Sequence, residues 1–463
     1  MLKNSVFIPL ALCLVPLSAM AQAVDSIDPA LKARIDSIAA GVMQQRGVPS
    51  ASLAVVQGGK IVYTNAYGRA HIDPDKPATP DMRYSVGSIS KQFTAAAILL
   101  LQEQGKLKLD DPVGKYVPGL TRGDEVTIRQ ILSHTSGYQD YAAEDYPLES
   151  QLKPVTPQEI LKEWAIKPLD FEPGTQWQYS NTNYVIAGLI IENVSGQKLF
   201  DFLGEHIFQP LEMKSAWNSD AKELPPADAA PYMRNALGPI RPVPNGGEGW
   251  MYAAGELAIT AHDLALWDIS LMQRTVLKPE SYDQMFTEVK LKDGKGTHYG
   301  LGVEVLQRDG HRSVEHSGEV NGFVSDNEVL VDDGIAVAVL TNHMAGGAEE
   351  MTQLAAASVA GVKRTPVEEQ AIAIYNGLQN GQIDRSLLAP NLNAYFNAQT
   401  IADYRSSLGP LGNPLTFHMV RERLRGGMTM RIFRIVYPTR QLSLSTYTYP
   451  DGKLEQYLVD PAG

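Results

Sequence analysis

Apolar positions recur with helical spacing from Pro29 to Arg46, and two short apolar-rich runs then follow, Ala51 to Val56 and Ile61 to Tyr67, around Gly58-Gly59. This predicts a helix entering a β-hairpin, because a 3.6-residue repeat buries one helix stripe whereas compact runs bounded by glycine suit strands. From Ser88 to Gln104 the chain is nearly continuous in Ala, Ile and Leu and stops at Gly105. That pattern predicts a helix buried around most of its circumference. Residues 112–118 and 121–127 read as loops. Gln158 to Trp164, Asn183 to Val194 and Ala261 to Met272 read as helices, and the proline-dense stretch Leu224 to Asn245 as an irregular surface excursion. Leu301 to Val305, Ser313 to His316, Glu328 to Val331 and Ile335 to Leu340 read as antiparallel strands, with Asp332-Asp333-Gly334 as a hairpin turn. Strands at both ends and helices between predict an α/β fold. One antiparallel sheet, joined by the first and last strands and flanked by helices, stands beside a mostly helical lobe.

Around Lys363 to Pro366 the pattern changes. Helices over Val367 to Asn380 and Ala398 to Ser407 precede four strand-like runs, Leu415 to Arg423, Met428 to Tyr437, Gln441 to Tyr449 and Leu454 to Val459. The expected organisation is a leader over 1–21, a large domain over 22–363 and a small α+β domain over 365–463. The leader reading rests on Lys3, an uncharged apolar run from Val6 to Leu17 and two competing small-x-small sites, Ala19-Met20-Ala21 and Ala21-Gln22-Ala23. These are the parts of a cleavable secretory signal, so the expected location is periplasmic or secreted. The run is shorter than the ~20 residues of a membrane span, so no integral membrane segment is expected in the mature chain.

At 463 residues, 44% hydrophobic and 20% charged, the composition is that of a globular chain. A formal net charge of −12 argues against nucleic acid as the main partner and says little else about substrate; the expected partner is a small-molecule or peptide substrate. The excess acid belongs to the large domain, since residues 365–463 hold nine Lys or Arg against eight Asp or Glu. Cys13 is the single cysteine and falls in the leader, so disulfides, thiolate metal sites and a cysteine nucleophile are excluded from the mature chain.

Chemistry must therefore come from other groups. Ser88-Ile89-Ser90-Lys91 sets a hydroxyl and an amine three residues apart at the start of the buried helix, where both share a face and free backbone amides point outward. The same spacing recurs at Ser150 and Lys153, Ser195 and Lys198, and Ser219 and Lys222, but only Lys91 precedes a strongly apolar helix that would desolvate its amine. Tyr179-Ser180-Asn181 follows a turn signal, and its phenol beside a lysine suits a general base. Tyr63-Thr64-Asn65 and Tyr395-Phe396-Asn397 share that pattern. His316-Ser317-Gly318 ends a predicted edge strand, where an extended substrate can align and a glycine allows close approach.

In this order and at these intervals, the three motifs resemble the signatures of class C β-lactamases, penicillin-binding carboxypeptidases and related esterases. Tyr84-Ser85-Val86-Gly87, Leu132-Ser133-His134-Thr135-Ser136-Gly137, Glu172-Pro173-Gly174, Ala254-Gly255-Glu256 and Tyr299-Gly300-Leu301-Gly302 extend the likeness over about residues 30 to 345. The resemblance implies a β-lactamase-like serine hydrolase without cofactor or metal. Ser88 would be the nucleophile, Lys91 and Tyr179 would manage its proton, and the backbone amides of Ser88 and Glu319 would form the oxyanion hole. Asn181, His316, Ser317, Gly318 and Asn342 would hold substrate, with His134 and Ser136 structural. His316 stands where β-lactamases and many carboxypeptidases carry lysine, which is similar to esterase and D-aminopeptidase relatives. An ester or D-amino-acid peptide is thus the expected substrate. A β-lactamase and a slowly acylating penicillin-binding sensor stay open. The small C-terminal domain is distantly similar to cone-shaped domains of the nuclear-transport-factor-2 type.

Overall fold

The computed structural model describes residues 27–143, 148–243, 246–308, 310–361, 365–437 and 440–462. The expected leader, with Cys13, and the link at 362–364 lie outside the described residues.

The first helix, α1 (Pro29–Arg46), begins where the Asp28 carboxylate accepts the amides of Ala30 and Leu31, and Gly47 closes it in the left-handed conformation. It leads into β1 (Ser50–Gln57), β2 (Lys60–His71) and the short β3 (Lys76–Pro77). After a long helical excursion the chain returns as β4 (Glu304–Arg308), β5 (His311–Val320), β6 (Phe323–Leu330) and β7 (Ile335–Thr341). Among the described residues these seven form one sheet in the order β3-β2-β1-β7-β6-β5-β4. The first and last segments of the domain meet at its centre, where β1 and β7 pair antiparallel from Ala51 opposite Thr341 to Gln57 opposite Ile335. All of β7 is buried, because helices cover both sheet faces. On one face, α1 and α5 (Ala348–Ala360) enclose Ile35, Val337, Val339 and Met351. On the other lie α2 (Ser90–Glu103) and α4 (Ala261–Gln273), and α3 (Asn181–Ser195) packs behind α2.

Two strand readings need correction. Residues 301–303 are not in a strand, and β4 starts only at Glu304, so it pairs with His311 to Glu315 of β5. Hence β5 is not an edge strand along its whole length; β4 leaves only the stretch 316–320 uncovered. Asn342 is also not a substrate ligand. It is fully buried at the end of β7, where its Oδ1 accepts the Ser50 amide (2.8 Å) and its Nδ2 donates to the carbonyls of Ala70 (3.2 Å) and Ala230 (3.0 Å). Its amide pins the ends of three chain segments and leaves nothing to offer a ligand.

The C-terminal residues fold as α6 (Pro366–Gln379), α7 (Pro390–Tyr395) and α8 (Ala398–Leu408), then β8 (Thr416–Arg425), β9 (Met428–Tyr437), β10 (Arg440–Thr448) and β11 (Leu454–Pro461). The four strands pair in sequence order. Helices cover one face around Tyr375, Phe417, Phe433 and Tyr457, a core separate from those of the large domain. Arg34 of α1 donates to the Leu415 carbonyl at 2.8 Å, which fastens the two parts together.

Replacing Asn342 with leucine strands the Ser50 amide and two carbonyls in a dry site. Each buried group left unpaired costs about 1–3 kcal/mol, so urea unfolding should show a loss of about 3 kcal/mol. The activity of the remaining folded molecules should stay unchanged.

Candidate active site

Ser88 lies in a 3₁₀ turn, Gly87–Ile89, that runs directly into α2. The apolar sequence of α2 buries it on nearly every side, and that burial takes Lys91 fully out of water. The Lys91 ammonium position touches three oxygens: Ser88 Oγ (2.8 Å), Asn181 Oδ1 (2.8 Å) and the Ala254 carbonyl (2.9 Å). Burial pulls its pKa down to about 7, against a smaller opposing pull from the Asp140 carboxylate. A neutral amine has two hydrogens and one lone pair. Here two oxygens can only accept, so the hydrogens go to Asn181 and Ala254 and the lone pair faces the Ser88 hydroxyl.

Tyr179 arrives on the extended segment ahead of α3, and its hydroxyl donates to Ser88 Oγ at 2.8 Å. Burial raises the phenol's pKa, and the carboxylates of Asp140 and Glu304 add to that rise. The expected ease of deprotonation is therefore reversed: Tyr179 holds its proton and donates it to Ser88 Oγ, while the Lys91 lone pair faces the same hydroxyl. His134 stacks on the Tyr179 ring with centroids 4.3 Å apart, while its Nδ1 accepts the Ser180 amide. It thus fixes the tyrosine from behind. Ser136 of the same buried loop donates to Asn183 Oδ1 in the first turn of α3.

The sheet supplies the opposite wall through β5. Gly87 has φ +51°, and a Cβ there would sit 2.9 Å from the Glu319 amide nitrogen. A side chain is excluded, so the turn carrying Ser88 lies directly against that amide, which is the arrangement a two-amide oxyanion hole needs. Gly318 does comparable work by packing: a Cβ would come within 1.9 Å of the Val86 carbonyl, and the residue does not line the cleft. Its expected contact with substrate is replaced by contact with the serine turn. Ser317 is exposed in the cleft.

His316 lines the cleft but is turned inward. Tyr299 lies 2.8 Å from its Nε2 and the Ser317 carbonyl adjoins its Nδ1. The carbonyl can only accept, so Nδ1 carries the hydrogen and Nε2 accepts from the phenol. Burial, with Lys91 nearby, lowers its pKa to about 3. A neutral ring with both nitrogens engaged holds no carboxylate and passes no proton to a leaving group. Asn181 is likewise mostly committed: its Nδ2 donates to Asp140 (3.2 Å) and its Oδ1 accepts from Lys91, which leaves one amide hydrogen for a substrate carbonyl.

Several cleft residues escaped the sequence reading. Asp140 accepts the Asn181 amide at 2.9 Å and orients its side chain, while Glu304 adjoins the cleft from the start of β4. Tyr141, Trp177 and Trp250 give it aromatic walls. Nothing but position after the Ser133 to Gly137 loop marks Asp140 and Tyr141, and Glu304 follows the Tyr299 to Gly302 turn by two residues. The cleft encloses about 740 Å³. Among the described residues that line it, none is Lys or Arg, whereas Asp140, Glu304 and Glu319 are acidic. No group of His, Cys, Asp and Glu that could hold a metal occurs among the described residues. The other serine-lysine pairs do not build a site: Lys153, Lys198 and Lys222 are all exposed.

This geometry is that of a serine hydrolase, and the beta-lactamase family model matches residues 35–360. The chain belongs to the beta-lactamase family. It is 30% identical over 306 residues to penicillin-binding protein 4* of Bacillus subtilis (strain 168), covering 63% of this chain and 67% of that one. Among solved structures, it is similar to a D-stereospecific amidohydrolase from a Streptomyces species, with 29% identity, a TM-score of 0.62 and coverage of 71% of this chain and 98% of that chain. The fold of an octameric penicillin-binding protein homologue from Pyrococcus abyssi is also similar, at 23% identity and a TM-score of 0.63. That likeness covers 92% of this chain and 99% of the other, and so extends into the C-terminal domain.

Two outcomes test the site. Because Lys91 must be neutral to accept a proton, kcat/KM should rise tenfold per pH unit below pH 7 and level off above it, and Lys91→Met should remove this limb with the activity. Gly87→Ala should lower kcat about 10²- to 10³-fold, the cost of displacing one oxyanion donor. Steady-state kinetics on ester substrates would show both.

Proposed function

We propose that the protein is an exported hydrolase that opens an ester or amide through a Ser88 acyl-enzyme, with a D-amino-acid amide or D-peptide as the natural type of substrate. The observation that carries this is the charge of the cleft: acidic side chains line it, Lys91 is buried beneath Ser88, and His316 is neutral. A penicillin-type carboxylate beside the scissile bond would meet no cation there, whereas an uncharged group or an ammonium would be accepted. The similarity to a D-stereospecific amidohydrolase supports the same reading. Export rests on the apolar leader Met1 to Ala23.

In the proposed reaction Ser88 Oγ bonds to the carbonyl carbon as its proton passes to neutral Lys91. The amides of Ser88 and Glu319 take the developing oxyanion. The tetrahedral species then collapses, the bond to the leaving group breaks, and Lys91 returns the proton to it by way of the Tyr179 hydroxyl. Water attacks the ester with Lys91 again as base, and acid and Ser88 are released. His134 does not line the cleft and positions Tyr179, while Asp140 positions Asn181 from the cleft wall.

Assays with D-phenylalanine amide, p-nitrophenyl acetate and a chromogenic cephalosporin, beside Ser88→Ala, test this. The amide and ester should turn over and the cephalosporin should not, with Ser88→Ala at background. Preferential cephalosporin hydrolysis would favour a β-lactamase, and a stoichiometric burst without turnover would favour a sensor. His316→Lys should improve KM for carboxylate-bearing substrates; an unchanged profile would remove His316 as the determinant.

A further inference from the structure

A second cleft, of about 970 Å³, lies between the large domain and the C-terminal sheet. Its floor is the sheet face carrying Ser317, Glu319 and Glu328, and α5 forms one side. The C-terminal strands close it with Thr416, His418, Arg434 and Gln441. Ser317, Glu319 and Met344 line this cleft and the catalytic cleft alike. The two spaces therefore adjoin, and the connecting stretch is the half of β5 that β4 leaves uncovered.

The C-terminal wall is a set of polar groups on one face of a sheet. Thr416 and His418 alternate along β8, and Arg434 lies directly opposite His418 on β9. Gln441 on β10 pairs with Val436, which faces Thr416. The other face of the same strands holds Phe417, Phe433 and Ile435 in the domain's own core, so these polar side chains contribute nothing to it. Thr416 is only 8% exposed, yet its hydroxyl has no hydrogen-bond partner, and the Nδ1 of His418 has none either. The Arg434 side chain is exposed and makes no ion pair or hydrogen bond with another described residue, its backbone alone being paired in the sheet.

The remaining charges around this cleft are largely committed to one another. Arg46 pairs with Glu350, Arg308 with Glu315, and His311 with Asp333. Glu368 accepts the amides of Thr365 and Met419. A guanidinium without a side-chain partner, a hydroxyl without a hydrogen bond and an imidazole whose Nδ1 has none, although Glu368 lies near it, stand on one wall; all can donate and together form a receptor for a carboxylate. Leaving a buried polar group unpaired is costly, and a ligand that supplies the missing acceptor removes the cost.

We infer that the interdomain cleft is a distal binding site for the carboxylate end of an extended peptide whose other end occupies the catalytic cleft, with Arg434, His418 and Thr416 as its ligands. The inference rests on the proposed hydrolase function and specifies its substrate. The chain runs beside β5, its amino end meets the acidic catalytic cleft, and its carboxylate is bound far from Ser88 by a different domain. The small domain thereby selects substrates by length and terminal charge.

The test measures inhibition of p-nitrophenyl acetate hydrolysis by the full-length protein. Inhibitors are D-alanine peptides of two to six residues, each as the free acid and as the C-terminal amide. Free acids should gain at least tenfold in inhibition once they are long enough to span both clefts, and amides should not. Arg434→Gln should remove that gain, leave the amides unchanged and keep ester kcat/KM within twofold, since Arg434 is exposed and outside the catalytic cleft. Thr416→Val should weaken the long acids in the same direction. Equal inhibition by acids and amides, absence of a length threshold, or an equal effect of Arg434→Gln on both series would each overturn the inference. The hydrolase reading fails separately, if Ser88→Ala retains full ester turnover. Calorimetric titration of the same peptides into Ser88→Ala then still measures the distal site.

Discussion

The contact on which the rest of the structure depends is that of a buried lysine with three oxygens. Lys91 can lose its proton near pH 7 only because α2 is sealed on nearly all sides, and the neutral amine remains useful only because each of its three valences has a destination. Three separate chain segments supply those destinations. The turn before α2 gives Ser88, the start of α3 gives Asn181, and the short helix Tyr252–Gly255 ahead of α4 gives the Ala254 carbonyl. An amine missing one of these partners would be either an unsatisfied buried donor or a charged group without compensation, both costly in a dry interior. Tyr179 complements it. A phenol whose pKa burial has raised keeps its proton and donates, so Ser88 Oγ receives from one side and gives to the other.

The opposing wall depends on backbone approach more than on side chains. The sheet brings the two ends of the domain together through β1 and β7, and it carries β5 against the serine turn. Gly87 and Gly318 then remove the two side chains that would hold the surfaces apart. Asn342, far from the chemistry, ties Ser50 and the carbonyls of Ala70 and Ala230 to the end of β7. A shift of β5 against the serine turn would appear at the Glu319 amide, where geometry decides whether an oxyanion is held.

The legible parts of the sequence were those with a strong local signal. The bounds of α1 and of the C-terminal hairpin strands follow from periodicity, capping by Asp28 and glycine punctuation. Ser88 could be chosen among four similar pairs because the apolar run after Lys91 implies burial. Helix α5 was not legible, since its Ala-rich sequence has little amphipathic contrast and its faces are set by the sheet below it. Asn342 was misread because a polar residue at a strand end looks accessible, and only tertiary pairing reveals three backbone partners. The proton preferences of Tyr179 and His316 were equally hidden: both depend on burial in the assembled cleft, which brings Ser88 to Tyr179 and Lys91 near His316.

Substituting histidine for lysine in the third motif has consequences beyond charge count. A lysine at position 316 would place a second ammonium beside Lys91 and raise the cost of keeping either one charged. Neutral His316, locked between Tyr299 and the Ser317 carbonyl, avoids that conflict and preserves the lowered pKa of Lys91 through desolvation alone. The same choice removes the local anchor for a carboxylate and leaves Asp140 and Glu304 to set the sign of the cleft. Glu304 itself is raised to about 7, first by burial and then by Glu315 directly across the strand pair. The cleft therefore becomes more negative as pH rises through the range in which Lys91 loses its proton. Base activation and selection against anionic groups beside Ser88 consequently strengthen together, from the same physical cause of burial acting on groups of opposite type.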